Sequence, residues 1–216
     1  MSPGGIRLAE GAEDRDGLEM DLLEVRLGPV LPHWPAGLVL HCSLQGDIVT
    51  DARAEVVSAA DQGGDRVGPR ARALDQVVSM LTIAGWDDAA EQARRVRDSS
   101  PVSRVGRAGL ARLRRRVRRS WPLRWSMRGL GPLTADDVRL LGLPADVAGD
   151  AYDRLVGLLA RAEAAPPPED RPGIPVDELA GVVVGLDLAA VRLIIAGLDV
   201  GPRRAALGAL PEANRG

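Results

Sequence analysis

The chain has 216 residues, 45% hydrophobic and 27% charged, with a formal net charge of −2, the composition of a folded domain and not of a collagen-like or disordered chain. Its single cysteine, Cys42, excludes an internal disulfide and cannot by itself build a zinc or iron–sulfur site. All 28 basic residues are arginine and Phe is absent, so a core must come from Leu, Val, Ile and Ala.

Residues 1–17 are Gly-rich and acidic, and they read as a disordered lead-in without the apolar core of a signal peptide. LEMDLLEVRLGPV alternates loosely and predicts a first strand ending at Gly28-Pro29. From Gly37 the alternation is strict: Leu38, Leu40, Cys42 and Leu44 share one face, and Val39, His41 and Ser43 the other. Gly46 and Asp47 supply a two-residue hairpin turn. The return strand is expected to put Ile48, Thr50, Ala52, Ala54 and Val56 on one face.

Beyond the loop DQGGDRVGP the period becomes helical. Leu74, Val77, Val78 and Leu81 mark one helix that ends near Gly85. Asp88 with Glu91 predicts a capping box for the next. Leu110, Leu113 and Val117 form a narrow apolar stripe on a helix otherwise covered in Arg. Thr134 with Asp137 opens a helix that Gly142 and Pro144 close, and Tyr152, Leu155, Val156 and Leu159 mark another. The expected organisation is a lead-in (1–17), a β-hairpin unit (18–60), a helical body (69–165) with an Arg-rich segment (94–128), a Pro-rich linker (166–175), a C-terminal helical pair (176–200) and a tail (201–216). The fold class is α+β, mostly α: an N-terminal antiparallel β-hairpin unit followed by a helical body. The most apolar segment, within the helical pair, is broken by Asp187 and Arg192 and falls short of the ~20 apolar residues of a membrane span.

Few side chains suggest chemistry. His41 and Cys42 are adjacent on a strand, point to opposite faces and cannot chelate one ion. No carboxylate pair, Ser/His/Asp set or phosphate-binding Gly loop stands out, so no catalytic residue, metal ligand or cofactor is assigned. His33 and Trp34, between Pro32 and Pro35, could contact a quinone-like ligand or a partner, with loop packing as the alternative.

Charge segregation is the strongest signal. Between Arg94 and Arg128 there are thirteen Arg and one acid, Asp98; the rest of the chain has fifteen Arg and twenty-nine acids. Arg112, Arg114, Arg115, Arg116, Arg118 and Arg119 surround the Leu110 stripe, and Trp121, Arg124, Trp125 and Arg128 follow. Three readings of this block stay open. It is a solvated face paired with the protein's own acids, or it docks on an acidic subunit or an anionic membrane, where each basic residue is worth ~1 kcal/mol. The third is nucleic-acid binding, which a whole-chain pI of about 5.8 disfavours.

The stretch GPVLPHWPAGLVLHCSLQGDIV resembles, without a gap, the N-terminal signature of the hydrogenase-like large subunit of NADH–quinone oxidoreductase, a relative of [NiFe] hydrogenase large subunits. Gly28, Pro29, Pro32, Leu38, Leu40, Gly46 and Val49 fall on that signature, and Asp47 replaces its Glu. Two family His at the quinone headgroup align with Leu31 and Pro35, and the Tyr, His and Arg of a following loop align with Ser58, Ala60 and Asp61. The resemblance covers about a tenth of the chain. It implies a non-catalytic accessory or scaffold subunit on the cytoplasmic side, peripheral to the cell membrane, with subunits of a quinone-oxidoreductase or hydrogenase-like complex as partners and the hairpin packed on one of them.

Overall fold

The computed structural model describes residues 11–13, 19–57, 68–164 and 174–201. Strands β1 (Gly11–Glu13), β2 (Glu19–Leu27), β3 (Leu38–Gln45) and β4 (Ile48–Val56) form one antiparallel sheet in chain order. Strand β1 falls inside the stretch that composition marks as a lead-in. Its three residues pair with Glu19–Asp21 through the backbone, which leaves no side-chain alternation to read. Ser58, Ala60 and Asp61 lie outside the described residues, as does most of the Pro-rich linker.

The hairpin turns through Gly46 and Asp47, with Gly46 at φ 64° and Gln45 facing Ile48. Leu38, Leu40, Cys42 and Leu44 are buried, and His41 is exposed with its Nε2 2.9 Å from Glu55 Oε1. Burial, with Glu24 and Asp51 nearby, pushes the Cys42 thiol pKa up, as suits an unreactive core residue. Strand β4 departs from strict alternation. The register shifts between Ser43 and Leu44, leaving Thr50 as an extra residue whose hydroxyl donates to Ser43 O at 3.0 Å. Val49 is therefore the fully buried residue of β4, and Ile48 and Thr50, which alternation groups with the half-buried Ala52 and Ala54, are exposed.

After the sheet come α1 (Pro69–Ile83), α2 (Asp87–Asp98), α3 (Arg104–Arg119), α4 (Trp121–Met127), α5 (Ala135–Leu140) and α6 (Ala151–Glu163). A short parallel pair, β5 (Ile174–Pro175) and β6 (Val200–Gly201), brackets α7 (Leu179–Val183) and α8 (Leu188–Gly197). The fold is α+β and mostly α. Helix starts follow their side chains. Ser103 accepts from Gly106 N–H at α3, and Ser120 from Leu123 N–H at α4. Thr134/Asp137 and Asp150/Asp153 form reciprocal capping boxes at α5 and α6. The box expected from Asp88 and Glu91 does not form. Helix α2 starts at Asp87 behind Trp86, and Glu91 instead lies 3.4 Å from both Arg94 and Arg95.

Two apolar cores share one helix. The first joins α1, α2, α3, α4 and α6, with Leu74, Leu81, Leu113, Leu123 and Leu155 fully buried. The second lies under the sheet and is closed by α5, α7 and α8. Helix α8 is apolar except for Arg192 because it serves both: Leu193 and Ala196 face the first core, and Val191, Ile194 and Ile195 the second. The hairpin tip is bonded to the α7–α8 connection. Val49 N–H donates to Leu186 O at 2.9 Å, Gly185 N–H to Val49 O at 2.8 Å, and Leu188 N–H to Asp47 O at 3.2 Å. The apolar face of the hairpin thus packs on the chain's own helices, so the hairpin contact expected with a partner falls to its other face. Its apolar residues are numerous enough to need a cover, and α7 and α8 supply one.

The loops flanking α5 are fastened to α6 by two charged residues. Arg154 is 3% exposed, and its guanidinium donates to Gly149 O at 2.7 Å, Gly131 O at 2.9 Å and Val147 O at 3.3 Å. Burial pulls its pKa down to about 10, against the opposing pull of Asp150 and Asp153. Asp150 accepts from Gly129 N–H and Asp153 N–H, each at 3.0 Å. Burial pushes the Asp150 carboxyl up, but these N–H groups and Arg128 outweigh it and hold the pKa below its ordinary 3.8. A carboxylate whose pKa is lowered by folding contributes stability that is present above its unfolded pKa and lost as pH falls through the folded one. The thermal midpoint is therefore expected to fall below about pH 4, and an Asp150→Asn variant to show a shallower acid-side decline. Parallel pH profiles of the two proteins would place the acid sensitivity elsewhere.

Candidate functional site

Helix α3 sorts its arginines by angle. Gly106, Leu110, Leu113 and Val117 are buried and define the side facing the first core. At ~100° per residue, Arg114 and Arg116 fall on the two flanks of this stripe. Both find acids on neighbouring helices: Arg114 pairs with Glu163 of α6, and Arg116 lies 3.9 Å from Asp88 of α2, with its guanidinium 5.9 Å from the Trp86 ring centroid. The same wheel sends Arg104, Arg112, Arg115, Arg118 and Arg119 away from the core. These five are exposed and have no acidic partner among the described residues.

Helix α4 extends this face. Leu123 and Met127 are buried, which leaves Trp121 72% and Trp125 74% exposed one turn apart. Their rings are stacked, with centroids 6.3 Å apart and planes at 19°. Arg124 donates to Arg118 O at 3.0 Å and, with Arg128, sits over the Tyr152 ring at 5.7 and 5.2 Å. Arg128 also lies 3.6 Å from Asp153. At the other end of α3, Val102 and Val105 are 77% and 79% exposed. An open cleft of about 400 Å³, lined by Gly85, Trp86, Asp87, Asp88 and Arg116, borders the basic face on the α2 side.

The Arg-rich block thus divides: Arg114, Arg116, Arg124 and Arg128 are spent within the fold, and Arg112, Arg115, Arg118 and Arg119 are not. Arg104, Val102 and Val105 belong to the outward face although sequence reasoning did not single them out. The signal was available, since the Leu110 stripe fixes which way every other residue of the helix points.

His33 and Trp34 sit apart from this face, in the loop between β2 and β3. Trp34 Nε1–H donates to Leu38 O at 2.8 Å, and its ring packs against the second core. His33 is partly buried, at φ 60°. Gly46 and Asp47 shape the hairpin tip already described. The described residues hold no group of three or more His, Cys, Asp or Glu that could bind a metal ion, and no helix among them is long and apolar enough to cross a membrane.

No family model matches the chain, and no curated protein matches it. Among solved structures, it is similar to a chain of the membrane-bound sulfane sulfur reductase (MBS), an archaeal respiratory membrane complex. The likeness has a TM-score of 0.55 at 12% identity and covers 84% of this chain and 97% of the other. At that identity the two chains share a fold.

Proposed function

We propose that the chain is a non-catalytic accessory or scaffold subunit of a membrane-associated respiratory redox complex. The observation that carries this reading is the shared fold, which takes in nearly all of a chain that works inside such a complex. The sequence frame of Gly28, Pro29, Pro32, Leu38, Leu40, Gly46 and Val49 supports a finer assignment, kinship with the large subunit of NADH–quinone oxidoreductase. The non-catalytic character rests on Leu31 and Pro35, apolar residues at the positions of that subunit's ligand-binding His. A retained quinone role would fall to His33, because the Trp34 N–H is spent on Leu38 O.

The test is purification of the tagged, full-length chain from its own cells in mild detergent, with nuclease present throughout, followed by mass spectrometry. Stoichiometric recovery of the other subunits of a respiratory membrane complex is the expected result. Recovery of the chain alone would overturn the proposal. Partners seen only when nuclease is omitted would also overturn it, in favour of nucleic-acid binding through the Arg-rich segment.

A further inference from the structure

The outward face of α3 and α4 has an order that bears on its partner. In chain order the exposed residues are Val102, just before α3, then Arg104 and Val105 at its start, the acid-free Arg112, Arg115, Arg118 and Arg119 farther along α3, and Trp121 and Trp125 on α4. Val105 and Arg112 are seven residues apart and share a side. A protein interface places apolar residues at its centre and polar ones at its rim. Here four of the cations, Arg112, Arg115, Arg118 and Arg119, occupy the middle and apolar side chains the two ends, with Arg104 between the two valines. The face is that of a helix, convex, with no acid among the described residues opposite the five arginines. Trp121 and Trp125 lie side by side with their ring centroids 6.3 Å apart and are 72% and 74% exposed, an apolar pair at the end of the basic face.

We infer that this face is a peripheral binding site for an anionic lipid surface. The five arginines would lie over the headgroup phosphates, and the indole pair and the two valines would enter the interfacial layer, where Trp is favoured. Arginines already paired within the fold, Arg114, Arg116 and Arg128, take no part. The inference rests on the reading of the chain as a membrane-complex subunit only in placing the chain next to lipid.

The experiment is flotation of the purified full-length chain with vesicles of phosphatidylcholine alone or with one third phosphatidylglycerol. Binding to the anionic vesicles and weak binding to the neutral ones is expected, with affinity falling as salt screens the charges. Each arginine near the surface is worth about fivefold, so the triple variant Arg112→Gln/Arg115→Gln/Arg119→Gln should lose on the order of a hundredfold in affinity. Trp121→Ser/Trp125→Ser should lose the part of the binding that persists at high salt. All five positions are exposed, so an unchanged thermal midpoint confirms that each variant is folded, and Arg26→Gln on the sheet is the control that keeps full binding. Equal affinity for both vesicle types, wild-type affinity of the triple variant, or displacement from vesicles by equimolar transfer RNA would each overturn the inference. Failure here alongside successful co-purification removes the lipid contact and leaves the subunit reading standing.

Discussion

Replacing Arg154 by Met is expected to cost about 3 kcal/mol of stability, the larger of the losses anticipated at a charged position. Met approaches the volume of the arginine stem but donates no hydrogen bond. Gly131 O, Gly149 O and Val147 O would lose their shared donor, and the two loops that meet at the Leu133–Gly149 bridge would lose their tie to α6. One effect opposes this: burial of the guanidinium is itself costly, as its lowered pKa shows, and Met relieves that cost. Three hydrogen bonds from a charged donor, at roughly 1.5–3 kcal/mol each, outweigh it. In a chain of this size the thermal midpoint should drop by on the order of 10 °C. Arg154→Lys should fall in between, because an ammonium keeps the charge but cannot span three carbonyls in a fork. A midpoint unchanged in the Met variant would mean that the loops are held by their backbone contacts alone.

Gly28→Ala is expected to be as damaging, although it adds one methyl group. Gly28 has φ 88°, and a Cβ there would lie 2.1 Å from Leu38 O and 2.8 Å from Trp34 Nε1. It would intrude on the hydrogen bond that closes the β2–β3 loop. The left-handed backbone costs roughly 1–2 kcal/mol with a side chain, and displacing a backbone carbonyl adds a similar amount, for a total of about 3 kcal/mol. Gly46 is the internal comparison. Its φ is 64°, but nothing lies within 4 Å of the added atom, so Gly46→Ala should cost only about 1 kcal/mol. Denaturant melts of both variants decide the matter. Equal losses would show that close approach at Gly28 adds nothing to the conformational penalty.

Much of the fold can be read from local pattern. The alternation from Leu38 to Leu44, the helical period of Leu74 to Leu81 and the Thr134/Asp137 pair each act within a few residues, so sequence contains them in full. The departures come from contacts between distant segments. The extra residue at Thr50 exchanges Ile48 for Val49 in the core, and it is set by pairing with β3 and docking on residues 185–188. Arg154 reads as one more charge on an amphipathic helix until the loops around it are folded. The basic face of α3 is intermediate. Its charge density is plain in the sequence, whereas the sorting of spent from unspent arginines depends on Asp88, Asp153 and Glu163 arriving from other helices.

The bonds between the hairpin tip and the α7–α8 connection join segments about 140 residues apart, a separation that makes closure late as well as slow. During synthesis the leucines of β3 emerge early and their cover last, after a delay on the order of ten seconds. For that interval the nascent chain presents an apolar strand pair with nothing against it, a natural client for a ribosome-associated chaperone. A message cut short in the 165–173 segment would yield a product that never completes its second core, which marks such fragments for aggregation or proteolysis.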